Sequence, residues 1–210
     1  MGFFEGLEEQ EITFVLPTRP LTETPAGWGN VFQSLRRNDH EGALRYNDYV
    51  VIHIDTDVQE ETGFGVTKRD DEGKELTVTV RVEMVIERLK RDIDRAFFEE
   101  NSERIVFAIA VDTIECWLLP LYDKGKAQKI TGCLDAVSRA LRKAKLNALW
   151  NGKRKFLESY NEASIKYKKR KTLMACRDEN PSLQIFLARL EPLLNSQVEK
   201  SSQSPNSTGT

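Results

Sequence analysis

Histidine and cysteine are scarce: the 210-residue chain carries two of the first and three of the second. Cys116, Cys133 and Cys176 are widely spaced and form no CxxC pair, which argues against a structural zinc site. Scattered cysteines of odd number predict free thiols in a reducing compartment, so a cytoplasmic protein is expected. No apolar run approaches the roughly 20 residues that a membrane span needs. The opening Met1-Gly2-Phe3-Phe4-Glu5-Gly6-Leu7-Glu8-Glu9 is acidic, unlike a signal peptide. Gly63-Phe64-Gly65 lacks the length and the strand-to-helix setting of a phosphate-binding loop.

Excess charge of either sign is nearly absent, with a formal net charge of -2, but the chain is polarised. Between Asp55 and Glu75 there are eight acidic residues against three basic ones. Between Arg142 and Lys171 there are eleven Lys and Arg against Glu158 and Glu162 alone. At 40% hydrophobic and 30% charged residues, the composition is that of an ordinary globular protein.

Two apolar runs read as buried strands, Tyr49-Val50-Val51-Ile52-His53-Ile54 and Arg104-Ile105-Val106-Phe107-Ala108-Ile109-Ala110-Val111. Between them Val82, Val85, Ile86, Leu89, Ile93, Ala96 and Phe97 form the stripe of one long amphipathic helix. Glu11-Ile12-Thr13-Phe14-Val15-Leu16 reads as a further strand closed by Pro17, and a short helix is expected from Asn30 to Arg37. After the second strand, residues 112–119 form a short helical segment ended by Pro120. Helices follow over about 132–148, 152–175 and 182–194, the last started by Asn180-Pro181-Ser182. From residue 195 the composition predicts a disordered tail. Alternating strands and helices imply an α/β fold with a mainly parallel sheet flanked by helices. The expected division is an α/β domain over 1–125, a helical C-terminal extension over 126–194 and a tail over 195–210.

In parallel sheets ligands sit beyond the carboxyl ends of the strands. Asp55 and Asp57 fall at that end of one strand, and Glu115 just past that end of the next. Neighbouring carboxylates stay ionised only beside a cation, and Mg²⁺ suits one or two carboxylates plus waters. His53 could transfer protons, although a hydrogen-bonded core histidine is the plainer reading. The basic residues Lys153, Arg154, Lys155, Lys166, Lys168, Lys169 and Arg170 could hold a phosphate backbone, with Phe156, Tyr160 and Tyr167 stacking on bases. Such runs are also common as solvated helix faces.

The pattern of apolar strand, Asp55-Thr56-Asp57, helix, apolar strand and Ile114-Glu115-Cys116-Trp117-Leu118-Leu119 resembles the Toprim (topoisomerase–primase) fold. It is most similar to small Toprim-like nucleases of prokaryotic defence and mobile-element loci, over roughly residues 11–120. The resemblance implies Mg²⁺ or Mn²⁺ at Asp55 and Asp57, Glu115 as a supporting group, and cleavage of DNA or RNA phosphodiesters. It also implies a further glutamate in a Glu-Gly loop after the first strand. Glu5-Gly6 is the only such pair near the start, and it lies too close to residue 11 for the usual intervening helix. The other alignment leaves that strand and its glutamate outside this chain. A non-catalytic Toprim-like subunit acting with an ATPase or other defence partner is the alternative, and a metal-dependent phosphatase is a third. An oligomer is compatible with each.

Overall fold

The computed structural model describes the main chain of Val15 and of residues 27–152 and 155–202, with side chains through Leu193. Apart from Val15, the strand expected over 11–16 lies outside the described residues, as does Glu5. The two central strands form as expected, and the described fold is α/β and mostly helical. β1 (Val50–Asp55) and β2 (Ile105–Ala110) pair in parallel, with Val50 beside Ile105 and Asp55 beside Ala110.

β2 is buried along its whole length, and its two faces divide the core. Ile105, Phe107 and Ile109 point into a cluster with Ile52 and Ile54 of β1. Ala108 and Ala110 face the other way, and these small side chains let Leu183 and Leu187 pack close. β1 departs from the expectation of a strand covered on both faces. Ile52 and Ile54 are buried, but Val51 is 55% exposed and His53 shares its open face. An apolar run shows that side chains can be buried; only the packing helices decide how many faces are.

The expected single helix between the strands is two. α1 (Trp28–Arg36) and α2 (Asp39–Leu44) precede β1; α3 (Val78–Lys90) and α4 (Arg95–Asn101) follow it. The break falls where Asp94 accepts from the Phe97 amide at 2.8 Å, because a short carboxylate competes with the helical ladder. Thr77 likewise caps α3, accepting from the Val80 amide at 3.3 Å. Val78, Thr79 and Val80 are helical despite their β propensity, because Val82, Val85, Ile86 and Leu89 bury one stripe of the same helix.

α5 (Glu115–Tyr122) carries Pro120 inside it rather than at its end. Pro120 has no N–H for the carbonyl of Cys116. Asn180 Nδ2 donates to that carbonyl instead, at 3.3 Å. The same side chain accepts from the Leu183 amide at 3.1 Å and so caps α9 (Pro181–Ser202). This helix continues past Leu194, so the segment expected to be a disordered tail begins helical. α6 (Cys133–Lys143) packs on α5, and the stretch expected as one helix over 152–175 breaks into α7 (Leu157–Ser164), a 3-10 turn and α8 (Arg170–Arg177). The expected free thiols are corrected as well. Cys116 and Cys133 form a disulfide, their Cα atoms 5.0 Å apart, because α5 and α6 share a core that sequence spacing does not reveal. Cys176 stays free and buried. Among the described residues, no helix is long and apolar enough to cross a membrane.

Asn180→Ala removes the α9 cap and strands the Cys116 carbonyl together. A loss of roughly 2–4 kcal/mol in urea unfolding is expected, with Asn180→Asp intermediate because it keeps the cap acceptor. His40 is 3% exposed, rests edge-on against Phe97, and neither ring nitrogen has a hydrogen-bond partner among the described residues. Burial lowers its pKa from 6.5. The unfolded chain therefore takes a proton below about pH 6.5 that the folded chain refuses, and stability falls with acidification through that range. His40→Leu should flatten the stability slope between pH 7 and 5; equal slopes in both proteins would contradict the assignment.

Candidate functional site

The carboxyl ends of β1 and β2 are laced together by backbone. The Thr56 amide donates to Ala110 O at 3.1 Å and Asp112 O at 2.9 Å, and the Asp57 amide donates to Asp112 O at 2.9 Å. In return the Asp112 amide donates to Thr56 Oγ1 at 2.9 Å. These bonds hold Asp112 at φ +66°, a left-handed conformation that aspartate tolerates better than most residues. Arg81 of α3, only 5% exposed, donates to Thr56 Oγ1 at 3.3 Å and Gln59 Oε1 at 3.0 Å. The Asp-x-Asp turn is therefore fixed from both strands and from the crossover helix.

Asp55 Oδ1 accepts from the Ile114 amide at 2.9 Å, with His53 Nε2 at 3.6 Å. Burial pushes the Asp55 pKa up to about 7, and the charges of Glu115 and Asp57 add to that, while Lys155 and the Ile114 amide oppose it. His53 is open to solvent on one side, yet burial lowers its pKa to about 4 despite the nearby Glu115, with Lys155 contributing. Near neutrality the imidazole is uncharged, and its edge meets Trp117 at a centroid distance of 6.2 Å.

Glu115 is completely buried. Burial alone would favour the protonated acid, but Lys155, Tyr160 and Thr113 together hold its pKa below the usual value. Lys155 Nζ lies 2.8 Å from Glu115 Oε1, and the Tyr160 hydroxyl donates to the same oxygen. Oε2 makes no well-formed hydrogen bond to any described residue; the Thr113 hydroxyl beside it is likewise unpaired in geometry. Tyr160 is correspondingly harder to ionise than a free phenol, through burial first and Glu115 second.

Of the residues expected to carry chemistry, Asp55, Glu115 and His53 share one electrostatic neighbourhood. Asp57 lies beside them but exposed, with Oδ1 accepting from the Val58 amide at 3.0 Å. The carboxylates of Asp55, Asp57 and Glu115 do not converge on one point. Among the described residues, the acid, cysteine and histidine side chains whose ligand atoms all lie within 4.8 Å are Asp112, Cys116 and Cys133. Among the described residues, the acids crowd around Asp55 and raise its proton affinity without closing on one shared cation position.

Lys155 differs most from its expected role. It serves as counter-ion to Glu115, and Tyr160 serves the same carboxylate rather than a free stacking surface. Lys166 lies over the Tyr122 ring at 4.7 Å, while Lys168, Lys169 and Arg170 are exposed. Lys153 and Arg154 lie outside the described residues. Thr56, Arg81 and Asp112 were not anticipated; no local pattern connects α3 to the Asp-x-Asp turn, although a lone arginine on the apolar stripe of α3 was a signal.

Losing one partner of a buried ion pair costs several kcal/mol, less where the other partner is half exposed as Lys155 is. Lys155→Met should therefore destabilise the fold by about 1–3 kcal/mol, and adding Glu115→Gln should recover part of that loss. A double-mutant cycle by denaturant unfolding measures this, and additive effects would show that the two groups are uncoupled.

No family model, curated protein or solved structure matches this chain.

Proposed function

We propose that this chain is a Toprim-like, Mg²⁺- or Mn²⁺-dependent nuclease that hydrolyses DNA or RNA phosphodiesters, in phage defence or a mobile element. The observation that carries the reading is the pair Asp55 and Asp57 at the carboxyl end of a strand in a parallel sheet, beside the buried Glu115. Asp55 and Asp57 would hold the cation, which when bound neutralises phosphate charge and lowers the pKa of water. Glu115 acts from behind them, tuning Asp55 through its charge. His53, uncharged near neutrality, offers a proton acceptor for an attacking water on the open face of β1. The exposed Lys168, Lys169 and Arg170 supply phosphate contacts that carry no sequence information.

A second reading is a non-catalytic Toprim-like subunit working with an ATPase or other partner. The neutralisation of Glu115 by Lys155 and Tyr160 favours it, since a carboxylate so committed can be purely structural. A phosphatase acting on small esters is the third and has no observation of its own.

The assay is cleavage of plasmid DNA and of RNA by the purified chain with Mg²⁺ or Mn²⁺, with small phosphate esters in parallel. Cleavage should fall at least about a hundredfold in Asp55→Ala and Asp57→Ala. Equal activity in wild type and both variants would sink the nuclease reading. Inactivity of the wild type, with no melting shift on adding metal and a co-purifying partner, would favour the subunit.

A further inference from the structure

Beside the oxygen-rich turn lies a second group of ligands with different chemistry. Asp112, Cys116 and Cys133 bring a carboxylate oxygen and two sulfurs within 4.8 Å of one another. Each is delivered by a separate element: the turn after β2, the first turn of α5 and the first residue of α6. The Asp112 backbone is held in its left-handed conformation by Thr56 and Asp57, so its side chain is aimed by the fold and not by a flexible loop. Its Oδ2 accepts from the Gly132 amide at 2.8 Å, immediately before Cys133. Cys116 and Cys133 are buried, while Asp112 is half-buried at the rim.

We infer that Asp112, Cys116 and Cys133 form a second metal site, specific for a thiophilic divalent cation such as Zn²⁺ and available when the disulfide is reduced. Thiolate ligands select zinc and similar cations and reject Mg²⁺. Three protein ligands leave a fourth tetrahedral position for water, on the open side where Asp112 meets solvent. The chemistry balances simply. A dithiol reductant gives two electrons and two protons to the Cys116–Cys133 bond, producing two thiols and its own disulfide. Zn²⁺ then binds both sulfurs as thiolates and releases the two thiol protons to water. Two bare thiolates in this apolar core would be too costly, so the cation is what keeps them ionised. The oxidised and zinc-bound forms are thus alternatives, each joining α5 to α6.

The inference stands apart from the nuclease reading. It is tested on the full chain with Co²⁺, whose thiolate complexes give a charge-transfer absorption. The protein is reduced, freed of reductant under argon and titrated. One equivalent of Co²⁺ should bind with the thiolate band and be displaced by Zn²⁺, while the oxidised chain shows no band. Cys116→Ala and Cys133→Ala should abolish the band. Asp112→Asn should weaken binding at least about tenfold, the range seen when even outer partners of a metal are lost. The thiolate band itself separates this site from the carboxylate rim, which offers no sulfur ligand. No band in the reduced wild type, a band that survives in either cysteine variant, or equal affinity in Asp112→Asn would each overturn the site. So would loss of cooperative unfolding on reduction alone, since the disulfide would then be required by the fold; the wild-type readings need no variant to fold.

Discussion

A carboxylate with no water around it must find positive charge or give up its own, and Glu115 is such a carboxylate. Its solution organises the described structure. Lys155 reaches it from just before α7 and Tyr160 from α7 itself, so this C-terminal segment is tied to the strand ends by a charge as well as by apolar contact. The same charge acts outward. It adds to the crowding of negative groups at Asp55 and opposes the loss of proton affinity at His53. One buried residue thereby links the packing of the C-terminal helices to the proton chemistry of the rim.

The parts of this arrangement legible in the sequence are those in which local pattern and tertiary role coincide. β2 is apolar at every position because it is buried on both faces, and the run from Ile105 to Ala110 states this directly. Asp55 and Asp57 could be placed at a strand end because the apolar run stops there, and Glu115 because it follows the next such run. What was not legible depends on partners far along the chain. Whether Val51 is covered depends on helices packed against β1, not on valine. The break before α4 turns on whether Asp94 caps a new helix or sits on the surface of an old one, and both are compatible with the same stripe. Pro120 marks a helix end when no one supplies the missing donor; here Asn180 supplies it from 60 residues away in sequence terms, and the helix runs on. The disulfide is of the same kind, since a separation of 17 residues says nothing until α5 and α6 pack.

Lys155 shows how charge patterning misleads. Eleven basic residues over a short stretch read as one surface, yet the structure divides those it describes by function. Lys155 is drawn to a buried acid, Lys166 leans over an aromatic ring, and Lys168, Lys169 and Arg170 remain exposed. A phosphate backbone could not recruit Lys155 without cost, because moving it would leave Glu115 without its cation.

Asp112 is the point at which the two halves of the rim meet. Its carbonyl and amide are committed to Thr56 and Asp57, which fix the oxygen-bearing turn, while its carboxylate is turned toward Gly132 and the sulfur pair. Backbone and side chain of one residue would thus serve the two proposed sites, which differ in hardness. A hard cation among the aspartates has no affinity for the sulfurs, and a soft cation at the sulfurs gains little from the aspartates. The chemical separation is sharp although the spatial one is small. Mechanical separation is weaker: anything that pulls the Asp112 carboxylate away from Gly132 acts on a backbone that also receives the amides of Thr56 and Asp57. Occupancy of the proposed sulfur site would therefore act on the Asp-x-Asp turn through one peptide unit, with Arg81 restraining how far the turn could follow.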